Sequence, residues 1–461
     1  MTNPIEHTEL HRTAKYFMDN GRAKTHEEAL KLLQRFGLTI QVGPEITSSR
    51  AHQAALLSLV NLVSRTLLAG VEVIGIPEDT VSVSSLAQSK SLMDAVLEFG
   101  GMLASEPHPK WPNAIIGTVT PSNILTWQVT WEGWRGGVVP LAQHRRLKED
   151  DTMALAPILA AAVCAAEVFA WHAEDHAMAG RRDHGLSLWQ PGSYWLTSDS
   201  TEPNIAFLPS RLWLIGLGNL GQAYSWLLAA LPYCDPANVQ FVLQDFDKIS
   251  PSNKSTSLLS FERDVGRQKA RVLAEWFERR GFKTVIEERY FGEWTRRNIN
   301  EPGVALCSVD NALARSALED AGFDFIVEAG LGAGPAAFRS ISVHTFPGSS
   351  SAKEIWSNPS DHGTENPEHM PAYQKLKSLG MDECGLTQLA TRTVGVPFVG
   401  LIAACLVVSE LLRRLHGNEG MDFAACSALA LHDIEKGSVK AGIYEYGYVD
   451  AAKSEQPTTS V

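Results

Sequence analysis

Gly216-Leu217-Gly218-Asn219-Leu220-Gly221 stands between an apolar, strand-like run at 212–215 and a helical pattern at 220–231. A strand that feeds a glycine turn and then opens a helix is the most restrictive pattern in the 461 residues. Gly216 allows the tight turn, Gly218 lets backbone come close to phosphate, and Gly221 lets the helix pack close to the strand. The helix N-terminus then offers free N–H groups and a positive dipole end to an anion. Asp245 ends the next strand, at 239–243. It lies roughly 20 residues beyond the glycines, where an acid binds a ribose hydroxyl. On these facts alone an NAD-dependent dehydrogenase leads.

The order of elements extends this into two halves. Before residue 200 the spacing predicts one or two surface helices over 8–36, a strand at 38–42, a helix at 50–68 and a strand at 71–76. Strands at 114–119 and 124–131 come next, then an Ala-rich helix at 152–173. The polar segment 199–203 breaks the pattern and places a domain boundary near 200. After it come the glycine-loop unit, a helix at 270–279, and strands at 304–308, 325–328 and 341–345. A polar stretch, 348–383, precedes a final apolar helix. With the last helices of the halves aligned on Glu167 and Glu410, Ala160 and Ala161 fall opposite Ala403 and Ala404, as in a duplication. Alternating strands and helices imply an α/β fold of mostly parallel sheets flanked by helices.

Composition excludes some classes. A formal charge of −12 argues against a general nucleic-acid binder. The apolar runs 153–171 and 394–409 are expected to be core helices; the second is shorter than the roughly 20 residues of a membrane span, so no membrane partner is expected. Segment 1–24 has no signal-like apolar core, and the cytoplasm is the expected location.

The residues beyond Asp245 change the chemistry. The chain reads Asp245-Phe246-Asp247, then Ser252-Asn253, then Gly266-Arg267-Gln268-Lys269, then Asp310-Asn311 after a later strand, with Arg315 downstream. In this order these motifs resemble the ThiF/MoeB and ubiquitin-activating adenylase family over about residues 200–410. The resemblance implies tandem Rossmann-like ThiF-type adenylation folds. An inactive copy with N-terminal helices would span 1–200, an active one 201–452, and a flexible tail 453–461. It implies ATP and Mg²⁺: Lys269 would neutralise phosphate charge, Asp310 would hold the metal, and Asp245 with Asp247 would anchor the ribose side. Gly216, Gly218, Asn219, Gly221, Asn253, Lys254, Arg267 and Asn311 would complete the nucleotide site, Asn253 either by contacting the nucleotide or by bracing the loop. Arg267 and Arg315 are equally well read as ordinary surface arginines.

One departure stands out. The family usually carries an arginine three residues after the Asn of Ser-Asn, and Thr256 stands there. Lys254, or an arginine from the first half, would have to supply the charge, and lysine lacks the guanidinium fork. The first half has Val42-Gly43-Pro44-Glu45 where the glycine loop would be and no Asp-x-Asp, so it is expected not to bind ATP; a docking domain of another fold is the alternative.

Six cysteines stand at 164, 234, 307, 384, 405 and 426. None forms a Cys-x-x-Cys pair, so no structural zinc is expected, and their dispersal reads as a reducing compartment. Cys384 closes the polar stretch just before the final helix, where a mobile loop lets a thiol swing. The placement resembles autophagy-type activating enzymes, with the nucleophile on a crossover loop, here 348–395. Asp382 and Glu383 beside it disfavour a resting thiolate. The whole resembles bacterial activating enzymes encoded with a ubiquitin-like protein, a conjugating enzyme and a deubiquitinase, a setting that suggests antiviral defence. The implied activity is adenylation of the C-terminal glycine of a ubiquitin-like protein, thioester formation on Cys384, and transfer to a conjugating enzyme. A homodimer is possible. A sulfur-carrier or small-molecule adenylase without a thioester is the alternative, and a nucleotide-binding regulator without turnover is another.

Overall fold

A computed structural model describes residues 6–120, 125–199, 201–357, 369–440 and 442–452. The expected tail 453–461, the start of the strand expected at 124, and part of the expected crossover loop lie outside them.

Twelve elements make the first unit: α1 (Arg12–Asp19), α2 (His26–Leu33), β1 (Gly37–Val42), α3 (Arg50–Val63), β2 (Gly70–Ile74), α4 (Leu92–Glu98), β3 (Met102–Leu103), β4 (Asn113–Ile116), β5 (Thr126–Glu132), β6 (Arg135–Pro140), α5 (Leu155–Ala173) and β7 (His184–Ser187). The second unit begins with β8 (Phe207–Pro209), β9 (Arg211–Ile215), α6 (Asn219–Ala230), β10 (Gln240–Gln244), α7 (Lys269–Glu278), β11 (Lys283–Glu287), β12 (Val304–Cys307), α8 (Ala312–Ser316) and β13 (Phe325–Leu331). It continues with α9 (Gly334–Ala337), β14 (Ser340–Phe346), α10 (Ala352–Trp356), α11 (Pro371–Ser378), α12 (Glu383–Thr391), α13 (Pro397–Leu415), β15 (Gly420–Ser427), β16 (Ala430–Val439) and β17 (Tyr448–Asp450).

The sheets run β3-β2-β1-β4-β5-β6-β7 and β11-β10-β9-β12-β13-β14-β15-β16. In each, the first five strands are parallel and the rest antiparallel. The second order repeats the first strand for strand and adds β16. These are the two largely parallel sheets flanked by helices that the sequence predicts. The β15–β16 hairpin is not legible in the sequence, because its burial does not alternate cleanly along either strand.

Helices α5 and α13 explain the apolar runs. Each lies on its own sheet and packs against the other, with the Phe169 and Phe398 rings 5.5 Å apart. A helix covered on both sides is apolar all round, and α5, although long and apolar enough to cross a membrane, is 89% buried within the fold. Each keeps one buried acid at the matching place. Glu167 pairs with Arg182 at 2.6 Å. Glu410 pairs with Arg413 at 2.9 Å and Arg414 at 2.6 Å, and accepts the Met421 N–H.

The first unit differs at its strand ends. The Glu45 carboxylate accepts the Thr118 N–H at 3.0 Å and hydroxyl at 2.5 Å, beside Gly43 and Gly117. Arg146 bridges it to buried Glu149 at 2.7 Å, which in turn meets His52 at 3.1 Å. Burial alone would raise the Glu45 carboxyl, but Thr118 and Arg146 overcome it and hold it at about 2. A partly exposed carboxylate therefore stands at these strand ends.

One expected surface helix is not at the surface. Every residue of α1 is buried, including Arg12, Lys15 and Asp19, because α2, α9 and α11 cover it. Lys15 pairs with Asp19, and Tyr373 of α11 donates to Asp19 at 2.7 Å. Polar side chains on a short amphipathic pattern look solvent-facing until distant chain closes over them.

Candidate nucleotide and thiol site

The glycine loop has the geometry its residues require. Gly216 has φ +81°, a left-handed conformation open to glycine. A Cβ on Gly221 would meet the Gly216 carbonyl oxygen at 2.0 Å, whereas one on Gly218 would meet nothing within 4 Å. Loop and helix thus pack backbone to backbone, and Gly218 borders open space. Gly218 is the N-cap of α6 and supplies no side-chain acceptor, so the first N–H groups stay free for an anion.

Asp245, Asp247 and Lys269 converge beside it. Asp245 Oδ2 accepts the Leu217 N–H at 2.7 Å, and its Oδ1 accepts the Asp247 N–H at 2.8 Å. Lys269 Nζ stands 2.8 Å from Asp247 Oδ2 and 3.8 Å from Asp245 Oδ2. Burial pushes the Asp245 carboxyl up, and Lys269 then restrains it. Asp310 comes after β12, exposed, with no hydrogen bond to its carboxylate among the described residues. No group of three or more metal-ligating side chains occurs among the described residues.

The remaining expected residues are engaged elsewhere. Asn219 Nδ2 donates to the Gly395 carbonyl at 2.8 Å and fastens the glycine loop to the approach of α13. A Cβ on Gly400 would meet Asn219 Oδ1 at 2.0 Å. Asn253 Oδ1 accepts the Ser250 N–H at 2.8 Å and braces the loop. Lys254 pairs with Glu262, and Arg267 pairs with Asp264 and Glu275. Asn311 caps α8 through the Leu313 N–H at 2.9 Å. Arg315 is buried; it donates to the Val309 carbonyl at 2.6 Å and stacks on Trp356, which fixes the turn that carries Asp310.

Two arginines of the first unit reach the segment around Thr256. The Arg12 N–H donates to Ser255 Oγ at 3.0 Å, next to Thr256, and its guanidinium donates to the Thr393 carbonyl. Arg12 Nε is buried and has no hydrogen-bond partner. Burial, then Arg392, lowers Arg12 to about 10, and Asp310 is among the neighbours that raise it; it is a cation at neutral pH. Arg65, at the end of α3, donates to the carbonyls of Lys254, Leu258 and Ser260. Both arginines come from about 190 or more residues away, and no local pattern names them.

The cysteines separate by burial. It pushes the thiols of Cys164 and Cys405 well up and those of Cys307 and Cys426 up to about 12. Only Cys234 and Cys384 are exposed. Cys234 lies beyond the far end of α6, about 18 Å of helix from the glycine loop. The sequence places Cys384 on an irregular loop; it sits instead in the first turn of α12, because Asp382 caps that helix through the Gly385 N–H at 2.7 Å. Glu383 pairs with Lys377 at 3.1 Å, and Gln388 Nε2 donates to Cys384 Sγ at 3.3 Å. Both flanking acids are thus engaged. The other end of α12 leads to Thr393, about 12 Å of helix away, at the Arg12 guanidinium.

Residues 37–188 match the family model described as the BilD N-terminal domain, and residues 208–418 match the BilD C-terminal domain. The bacterial E1-like protein BilD of Collimonas sp. (strain OK412) is 60% identical over 460 residues, covering 99% of this chain and 100% of that protein. Among solved structures, Escherichia coli MccB overlaps 50% of this chain and 64% of its own, at 15% identity and a TM-score of 0.32. The E. coli tRNA N6-threonylcarbamoyladenosine dehydratase TcdA overlaps 44% of this chain and 85% of its own, at 15% identity and a TM-score of 0.30.

Proposed function

The chain belongs to the BilD family of bacterial E1-like proteins, and on that premise we propose that it activates a ubiquitin-like protein with ATP and holds it as a thioester on Cys384. The observation that carries the adenylation step is the convergence of Asp245, Asp247 and Lys269 on a glycine loop with free N–H groups. In this reading the C-terminal carboxylate of the partner attacks the α-phosphorus of ATP, and pyrophosphate leaves. Asp245 orients the ribose. Lys269 and Arg12 offset the negative charge that develops on the phosphates. Asp310 would hold Mg²⁺, which would add charge opposite the phosphate oxygens.

The thioester step is supported by the exposure of Cys384, by the burial of Cys164, Cys307 and Cys405 and the half-burial of Cys426, and by the continuity of α12 with the segment that Arg12 and Asn219 hold. Closing the distance requires α12 to swing or unwind. Transfer to a conjugating enzyme completes the cycle.

A non-reducing gel with Mg·ATP and a candidate ubiquitin-like protein ending in glycine tests the reading. The parent chain should give a thiol-sensitive adduct, and Cys384→Ala should lose it yet keep pyrophosphate exchange. Asp310→Ala should lose both. An adduct that survives Cys384→Ala moves the nucleophile elsewhere; exchange without any adduct means the reaction stops at the acyl adenylate.

Arg12→Ala should raise the KM for ATP about tenfold to a hundredfold, the range for hydrogen bonds to charged groups. Arg12→Lys should recover only part of it, because the fork is lost. An unchanged KM in both variants would remove Arg12 from the phosphate site.

A further inference from the structure

If Cys384 is the nucleophile, its thiol proton needs an acceptor. The two nearest carboxylates are taken: Asp382 caps Gly385, and Glu383 pairs with Lys377. The one side chain hydrogen-bonded to the sulfur, Gln388, donates to it and accepts nothing.

The short turn His7–Glu9 packs on two sides at once. One side is the start of α12; the other is the Pro251–Ser255 loop of the nucleotide site. It therefore lies between the helix that carries Cys384 and the loop beside the expected nucleotide site. His7 is half-buried there. Its Nδ1 stands 3.8 Å from the point where a Cβ on Gly385, the residue after the cysteine, would project. Neither ring nitrogen has a hydrogen-bond partner among the described residues. We infer that His7 is the general base of the thioester step: the imidazole takes the proton of Cys384 as sulfur attacks the acyl adenylate. This rests on Cys384 being the nucleophile.

The step balances. A bond forms between Sγ and the acyl carbon, the bond from that carbon to the phosphate oxygen breaks, and AMP leaves with the electron pair. The thiol proton goes to His7 and from there to solvent.

The surroundings suit a base. Burial, then Arg392 and Arg12, lower His7 from the ordinary imidazole value, against the opposing pull of Glu6 and Asp382. These four are the charged groups that face it from its own turn, α1 and both ends of α12. A lowered imidazole is neutral, and so able to accept a proton, through the whole neutral range.

The test is His7→Gln, with His7→Asn beside it, in the full chain with Mg·ATP and the same glycine-ended ubiquitin-like protein. Pyrophosphate exchange should stay within about twofold of the parent, since the imidazole takes no part in that step. Thioester formation at pH 7 should slow about a hundredfold, a usual general-base effect. The deficit should close as pH rises toward about 8.5, where a thiol ionises unaided. Thioester rates equal to the parent at pH 7, or a loss of the same size at every pH, would overturn the assignment. Survival of the adduct in Cys384→Ala would instead overturn the reading beneath it, and the two results are distinct.

Discussion

Lys269→Ala is expected to lower pyrophosphate exchange about a thousandfold, the scale seen when one preorganised donor is removed from a developing charge. Lys269 is the cation that stands against both Asp245 and Asp247, and α7 begins at this residue, so its position is set by the helix itself. The substitution has a second consequence. Asp245 is already pushed up by burial, and Lys269 is the first of the groups that restrain it. Without the ammonium the carboxyl titrates higher still and becomes protonated at a higher pH. ATP binding by Lys269→Ala should therefore weaken as pH falls, at pH values where the parent still holds Asp245 ionised. Exchange assays from pH 5 to 8 read both effects. Exchange within tenfold of the parent would remove Lys269 from the reaction, and a binding profile parallel to the parent's would remove its hold on Asp245.

Glu410→Leu should cost about 3–5 kcal/mol of stability, because buried Arg413 and half-buried Arg414 lose their carboxylate. Glu410 is fully buried, and Arg413 is only 5% exposed. Burial raises the Glu410 carboxyl and lowers the Arg413 guanidinium, so each group is strained by desolvation that its partner offsets. The Met421 N–H also loses its acceptor. If the cost comes from stranded charge, Glu410→Leu with Arg413→Met and Arg414→Met should be more stable than Glu410→Leu alone. Urea midpoints compare the three. A triple variant no more stable than the single one would show that packing, not charge, is lost.

The parts legible in the sequence are those that local chemistry dictates. A glycine loop between a strand and a helix needs no distant partner to be recognised, and Asp245, Asp247 and Lys269 are positioned by the strand end and helix start beside them. The parallel strands are apolar because both faces are covered. The hidden parts depend on chain closing over itself. Asn219 looks like a nucleotide contact until Gly400 leaves room for its amide. Lys254 and Arg267 look free until Glu262 and Glu275 arrive from eight residues on. The polar stretch before the last helix reads as loop, yet Asp382 and Ser351 cap helices within it. Arg12 joins Ser255 across 243 residues, a distance at which periodicity carries no signal.

The carboxylate of Glu45, held at the strand ends of the first unit, bears on how the chain responds to its substrate. Two like clefts facing a shared pair of helices could sense one another, and the second ATP could bind more or less readily than the first. With a carboxylate at the equivalent place, the first unit is expected to leave ATP to the second. Saturation by ATP should be simply hyperbolic, and a burst of adenylate should stop at one equivalent per polypeptide.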